Sequence, residues 1–425
     1  MNLPADHPLR RELHDEIHAR PPEALRAPLR LTFLALYSDP SNRDAEWEHV
    51  RALAARYGVE VPAQGVNHLS LDLGPFRLKW ERHSEFARYK FIVAGECADP
   101  YADTAIARVP ADWLAGLHGQ TVVAAHAALV AAGSVDTSAD VLAARSFGGN
   151  VLIGSGIADG AGEAYTDFQL HDGFSRLLVV DRSMTPRQAG RMMQRLLEIE
   201  TYRMMALLAL PVAHAPSPDL AQAERELAGI TTQLVDSSEA DEPVLLDRLT
   251  RLEAGIERRA AENAYRFSAA GAYYELVQRR IAELREVRMQ GLQTFQEFTE
   301  RRLAPAMNTC RAAAARQVSL SERVARATQL LSTRVDVTRE KQNQAVLESM
   351  NRRAAAQLRL QQTVEGLSVA AITYYVVGLI GYGAKGLKAL GVPLEPEVVT
   401  AISIPIVLAL GIAGVRKVHR MVAGH

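Results

Sequence analysis

The sequence predicts an α+β fold class: a mixed α/β N-terminal domain, then long stalk helices, then a C-terminal two-helix transmembrane hairpin. Three observations predict it. First, Gly366 to Ala384 (GLSVAAITYYVVGLIGYGA) and Val398 to Val415 (VVTAISIPIVLALGIAGV) are apolar and carry no charge. Each holds about the 17–25 residues with which a helix crosses a bilayer. Second, no proline occurs from Ala306 to Ala384, so one helix can run through that stretch. Third, the chain before Arg182 carries short apolar runs between Gly and Pro turn signals, the mark of strands.

Taken in order, Leu29–Tyr37 (LRLTFLALY) reads as a buried strand because it is apolar and bounded by polar turn residues. Ala45–Tyr57 has helical spacing at Trp47, Val50, Leu53, Ala54 and Tyr57. Asn67–Leu73, Phe76–Arg82 and Phe86–Ala94 form a strand cluster, with Gly74-Pro75 turning the first pair. Asp112–Ala132 has a helical look, although Gln120–Val123 reads equally well as a strand. Asn150–Ile157, Glu163–Gln169 and Arg176–Asp181 are three further strands. Thr185-Pro186 then starts a helix, the threonine capping and the proline at the first turn. It continues to Leu210, where Pro211, Pro216 and Pro218 end it. Asp219–Val235 is the next helix. Two antiparallel stalk helices follow, Glu242–Leu303 and Ala306–Glu365, with Pro305 as the break. Val324, Leu331, Val335, Val346 and Leu347 give the stalk a thin apolar seam, suited to a hairpin or bundle. The expected organisation is therefore 1–184 α/β domain, 185–218 connecting helix and linker, 219–365 stalk, 366–415 hairpin and 416–425 basic tail.

Charge and composition narrow the function classes. The formal net charge of -1 gives no electrostatic case for nucleic acid. Cys97 and Cys310 are read as free thiols, which fits a reducing compartment. The start, MNLPADHPLRRELHDE, is not a secretory signal. Arg352, Arg353 and Arg359 precede the first span, and Arg416, Lys417 and Arg420 follow the second. The loop between has only Lys385 and Lys388, so both termini are expected in the cytoplasm.

In the first span, Ser368, Ala371, Tyr375, Gly378 and Tyr382 share one face. Small and weakly polar residues there serve either close packing in a homo-oligomer or the lining of a pore. Neither span contains a charged residue, which argues against a proton relay. Glu395 and Glu397 in the loop would repeat in an oligomer as an acidic ring for a divalent cation; otherwise they are a solvated loop. His14 and His18 are four apart, with His7 nearby, too few ligands for a zinc site. Glu81, His83 and Glu85 alternate as residues on one strand face do. They suit cation binding or acid/base work, or an ion-pair network with Arg82 and Arg88. Glu198, Glu200 and Arg203 pose the same choice. Gly148-Gly149-Asn150 and Gly154-Ser155-Gly156 lack the Lys-Ser/Thr of a phosphate loop. No catalytic residue and no cofactor is assigned.

Four blocks carry a family resemblance: HPLRRELHDEIHARPPEAL (His7–Leu25), ERHSEFARYKF (Glu81–Phe91), TPRQAGRMMQRLLEIETYRMMALLALP (Thr185–Pro211) and LSVAAITYYVVGLIGYGAKG (Leu367–Gly386). On these the chain resembles a bacterial family of uncharacterised membrane-anchored proteins, domain of unknown function 3422, which implies a place in the bacterial inner membrane. The layout also resembles CorA-type magnesium channels, which join a cytoplasmic α/β domain to a stalk helix and two membrane helices. Where those channels carry Gly-Met-Asn, this chain reads Tyr382-Gly383-Ala384-Lys385-Gly386, keeping Tyr-Gly and departing at Met-Asn. Pro393-Leu394-Glu395-Pro396-Glu397 loosely echoes their acidic loop. The resemblance implies an oligomeric ion conduit or a non-conducting relative. The other readings are a membrane-anchored scaffold or ligand-binding module, and a tethered enzyme acting through Glu81, His83 or Glu85.

Overall fold

The computed structural model describes residues 6–11, 13–14, 22–62, 66–97, 99–215, 217–236, 238–390, 393 and 395–422. Its elements, in chain order, are β1 (Leu29–Tyr37), α1 (Arg43–Arg56), β2 (His68–Asp72), β3 (Arg77–Arg82), β4 (Phe86–Ala94), α2 (Ala111–Ala115), β5 (Gln120–Ala131), α3 (Ala139–Ser146), β6 (Ile153–Ile157), β7 (Gly162–His171) and β8 (Phe174–Asp181). There follow α4 (Pro186–Leu207), α5 (Ala209–His214), α6 (Ser217–Asp236), α7 (Glu242–Leu284), β9 (Val287–Arg288), α8 (Phe295–Ala389) and α9 (Pro396–Val422). The chain divides into two compact units, Met1–Val235 with Asp247–Ala327, and Asp236–Leu246 with Thr328–His425.

The first unit is built on a nine-stranded sheet of order β2-β3-β4-β1-β5-β8-β7-β6-β9. Its pairings are antiparallel except β5 with β8. Alternation along β1 sends Leu31, Phe33 and Ala35 to one core and Leu34 and Leu36 to the other, as the two-residue pleat requires. On the first face the core takes Met192, Met193 and Leu196 from α4, with Tyr274, Val277 and Ile281 from α7. Leu303 and Met307 of α8 join them, so residues read as stalk lie in this core. On the second face Trp47, Val50 and Leu53 of α1 pack with Trp80 and Trp113. Each such fully buried large side chain is worth about 1.5–3 kcal/mol.

Several expectations need correction. The stretch after Asp112 is helical only over α2; the strand alternative at Gln120–Val123 holds, as the start of β5, which sits between β1 and β8. Gly119, at φ +106°, makes the break, and β-branched Thr121, Val122 and Val123 fit the pleat. The first stalk helix ends at Leu284, not Leu303. Arg285 and Gly291 take positive φ, and β9 pairs with β6 before α8 begins. Pro305 does not break α8, which runs unbroken from Phe295 to Ala389. Burial of Leu303, Met307 and Cys310 around it offsets the roughly 3 kcal/mol that an interior proline costs. Likewise α4 ends at Leu207, and Pro211 lies in the first turn of α5, where no donor is missed. Pro216 and His18 lie outside the described residues.

The start of α8 is fixed twice. Thr294 Oγ1 accepts from Glu297 N at 3.1 Å, and Glu297 Oε2 accepts from Thr294 N at 3.2 Å, a capping box. Glu286 adds its carboxylate, accepting from Phe295 N at 2.9 Å, Gln296 N at 3.1 Å and Ser155 Oγ at 2.6 Å. A carboxylate there also meets the positive end of the helix dipole.

The second unit holds the C-terminal helices. Val377, Ala384 and Ser403 are its buried residues within the two apolar stretches. Added to Gly381, a Cβ would lie 3.0 Å from Thr400 Oγ1; added to Gly411, it would lie 3.1 Å from Val369 Cγ1. These two glycines let α8 and α9 pack closely, as small residues do between membrane helices.

Candidate functional site

Glu81, His83 and Glu85 do not share one strand face. β3 ends at Arg82, so the pleat that would align them stops, and residues 83–85 form the turn into β4. Glu81 is fully buried in the sheet, directly across from Arg88. Its carboxylate lies 3.2 Å from Lys79 Nζ, 3.1 Å from Arg88 Nη2 and 3.5 Å from Lys90 Nζ. His83 instead stacks on Phe86, ring centroids 4.6 Å apart. Glu85 points to α7, where Arg266 Nη1 (2.8 Å) and Tyr273 Oη (2.7 Å) donate to it. Arg82 turns to the opposite face and pairs with buried Glu46 at 2.8 Å.

The Glu81 cluster extends into the helices. Arg88 Nη1 is 3.4 Å from Glu198 of α4, which also accepts from Gln194 Nε2 at 2.8 Å and pairs with Arg280 of α7. Arg280 continues to Glu283, which Arg195 Nε meets at 3.0 Å. Two strands and two helices thus meet through one chain of charges. Burial alone would push the Glu81 carboxyl up, but Lys90, Arg88 and Lys79 outweigh it and hold it well below the usual carboxylate range. Burial brings the Lys90 ammonium down to about 8, with Glu81 opposing the fall. Glu198 is held low by Arg88 and Arg280 against its own burial. Every carboxylate in this chain of charges has a cation beside it, and the cavity that Lys90 and Gln194 border holds only about 10 Å³, so the arrangement is a buried latch. Glu200 and Arg203 pair along α4, Nε to Oε2 at 3.2 Å, as their spacing predicts. The sequence reading missed Arg280, Arg266 and Tyr273; the i, i+2 charge pairs of Lys79–Glu81 and Arg88–Lys90 are the signal that could have pointed to a network.

Among the described residues, no three of His, Cys, Asp and Glu come together as metal ligands would. His14 is exposed.

The remaining candidates lie in the second unit. Two helices are long and apolar enough to cross a membrane, within α8 and over Pro396–Lys417. Their apolar windows are almost wholly exposed, unlike the core helix of a soluble protein. Leu379 is 70% exposed and Leu410 67%. Ser368, Ala371, Tyr375 and Tyr382 are exposed, and Gly378 is half-buried with nothing within 4 Å of where a Cβ would stand. The inward face of the same helix is a different one, carrying Val369, Val377, Gly381 and Ala384. Side-chain hydroxyls along both helices donate to their own backbone: Ser368 to Val364 O (2.9 Å), Thr373 to Val369 O (2.7 Å) and Thr400 to Pro396 O (2.7 Å). Such internal pairing is what a medium without water demands. At the loop, Glu395 pairs with Lys388 at 3.1 Å, and Glu397 sits in the first turn of α9.

A search of curated proteins finds none that matches this chain. A family model described as "Protein of unknown function (DUF3422)" matches residues 5–422, nearly the whole length. The chain with the buried sheet latch and the bare apolar helix pair therefore belongs to the DUF3422 family.

Proposed function

We propose that this is a multi-pass protein of the bacterial inner membrane, with both termini cytoplasmic. Its copies associate around the first span in a CorA-like layout and form an ion conduit. The observation that carries this reading is the bareness of the Ser368–Tyr382 face, since α9 packs on the other side of α8. Exposed apolar surface of this extent is stable against lipid or another copy, not water. Backbone carbonyls and a loop ring can select ions without charged residues in the spans, and in the proposed oligomer Glu395 and Glu397, repeated from each copy, supply such a ring for a divalent cation. The missing Gly-Met-Asn leaves hydrated-magnesium selection out of the proposal.

The test is cation flux into proteoliposomes holding the purified full chain. The wild type is expected to conduct, and Gly378→Leu, which adds a bulky side chain at the one glycine of the face, to lower flux about tenfold or more. A flat trace from a properly assembled wild-type oligomer would remove the conduit. A second reading, a membrane-tethered ligand-binding module, is favoured by one observation. An apolar groove of about 400 Å³ opens on the sheet body, lined by Leu34, Leu36, Ile106, Leu117 and Phe174 among others. The tethered-enzyme reading draws no support from Glu81, His83 and Glu85, whose side chains serve three separate contacts.

A further inference from the structure

The bare face of the first span does not begin at the span. Stepping back from Ser368 by fours and threes gives Val364, Gln361, Gln357, Ala354, Met350 and Leu347. Every one of these is exposed in the chain, Leu347 by 59%, Met350 by 60% and Val364 by 57%. From Leu347 to Tyr382 this stripe carries no charge, although the helix between is rich in them. Glu348, Arg352 and Arg359 lie on the far side of the helix, and Arg353 and Glu365 flank the stripe. Before Leu347 the same steps meet Asn343, Glu340 and Asp336, and the stripe stops. The repeat is the alternating three and four of a coiled-coil seam. It runs about 54 Å at 1.5 Å per residue.

We infer that this seam is a parallel, in-register contact with further copies of the same chain, extending the assembly out of the bilayer by about three turns of α8 on each side of Gln357. The inference rests on the reading that the first apolar window of α8 spans a membrane and that copies associate there. The seam itself selects the occupant. Its lower half must meet a water-soluble helix and its upper half a lipid-soluble one, at matching heights. The same helix from another copy, pointing the same way, has that change of character in the right place. An antiparallel copy centred on Gln357 would lay its apolar span against the charged stretch before Leu347, with Arg334, Asp336, Arg339, Glu340 and Lys341. The two glutamines point the same way. An uncharged amide carries both donor and acceptor, so glutamines at one level satisfy each other across a symmetry axis. Gln361 gives one N–H to Glu365 at 3.1 Å and keeps its carbonyl oxygen for that purpose. Such a polar layer inside an apolar seam fixes register. Leu358, Leu360 and Leu367, 55%, 66% and 74% exposed, widen the apolar strip to either side. A strip this broad covers itself better among three or more helices than between two.

The test uses single cysteines in the full-length chain, in its own membranes, with Cys97→Ser and Cys310→Ala as background. Copper-phenanthroline with oxygen oxidises two facing thiols to a disulfide, and the oxygen takes up the electrons and protons. Met350→Cys and Val364→Cys are each expected to link to themselves at least about fivefold more than Arg352→Cys and Arg359→Cys, because disulfides need facing Cβ atoms within reach. Co-expressed Met350→Cys and Val364→Cys chains, differently tagged, are expected not to link to each other. Equal yields on both faces, or no links at the seam, would overturn the inference. A strong Met350–Val364 link would overturn the parallel arrangement, since antiparallel copies centred on Gln357 bring those positions together. Seam links in a chain that passes no ions leave this inference standing and remove the conduit; flux without seam links does the reverse.

Discussion

Arg88→Ala is expected to destabilise the sheet unit by up to about 3–5 kcal/mol, because it takes one partner from each of two buried carboxylates. Arg88 is 2% exposed and sits between Glu81, at 3.1 Å, and Glu198, at 3.4 Å. Removing it leaves Glu81 to Lys79 and Lys90 and leaves Glu198 to Arg280. It also cuts the direct contact that Arg88 of the β3–β4 hairpin makes with Glu198 of α4. Thermal unfolding of the detergent-solubilised full chain should show a midpoint lower by about 5–15 °C. The pH dependence follows in sign. Glu81 and Glu198 have native pKa values below their unfolded ones. The stability they contribute is therefore fully present above the unfolded carboxylate value of about 4.3, and is lost as pH falls through the native values. Without Arg88 both native values rise, so acid unfolding should begin at a higher pH. An unchanged midpoint and acid limit would show that Arg88 is not the joint described here.

Gly190→Ala should be nearly as costly, by about 2–3 kcal/mol, for a steric reason. Gly190 lies in the first turns of α4, and a Cβ there would run into the carbonyl oxygen of Glu23, which is backbone and has no rotamer to escape by. The segment that carries Glu23 is held two residues later, where Leu25 N donates to Pro186 O at 2.9 Å and the Leu25 side chain is buried in the main core. Alanine must push that segment off the helix and take Leu25 with it. Gly229→Ala is the control. It lies in α6 with nothing within 4 Å of the added carbon, and should gain up to about 1 kcal/mol from helix propensity. Equal midpoints for the two variants in the same unfolding assay would refute the close approach.

What was legible in the sequence was local. Leu29–Tyr37 was readable to the residue as a buried strand because a mostly apolar run of this length lies between polar turn residues. Thr185-Pro186 was readable as a helix start, and Thr185 Oγ1 does accept from Gln188 N at 3.3 Å. The break between α7 and α8 was missed, although Gly291 and the Thr294–Glu297 pair are a turn and a capping box in plain sight. Pro305, the stronger breaker by residue type, lies inside α8 instead. The order of strands was not legible. The parallel pairing of β5 with β8, and the arrival of β9 from between two long helices, depend on contacts far apart in sequence. The same holds for the latch. Glu81 and Arg88 could be read as neutralising each other across a hairpin, but Glu198 and Arg280 reach them only through the packing of α4 and α7 on the sheet. The face of the first span was readable as a stripe. That it is turned away from α9 depends on Gly381 and Gly411, which set the other side of the helix as the packed one.

The account rests on lipid covering the apolar windows of α8 and α9. Alkaline carbonate extraction of membranes that hold the full-length chain tests this most directly. The chain is expected to stay in the membrane pellet at high pH, where peripheral proteins are stripped away. Release of the intact chain into the supernatant would contradict the account, and the proposed conduit with it.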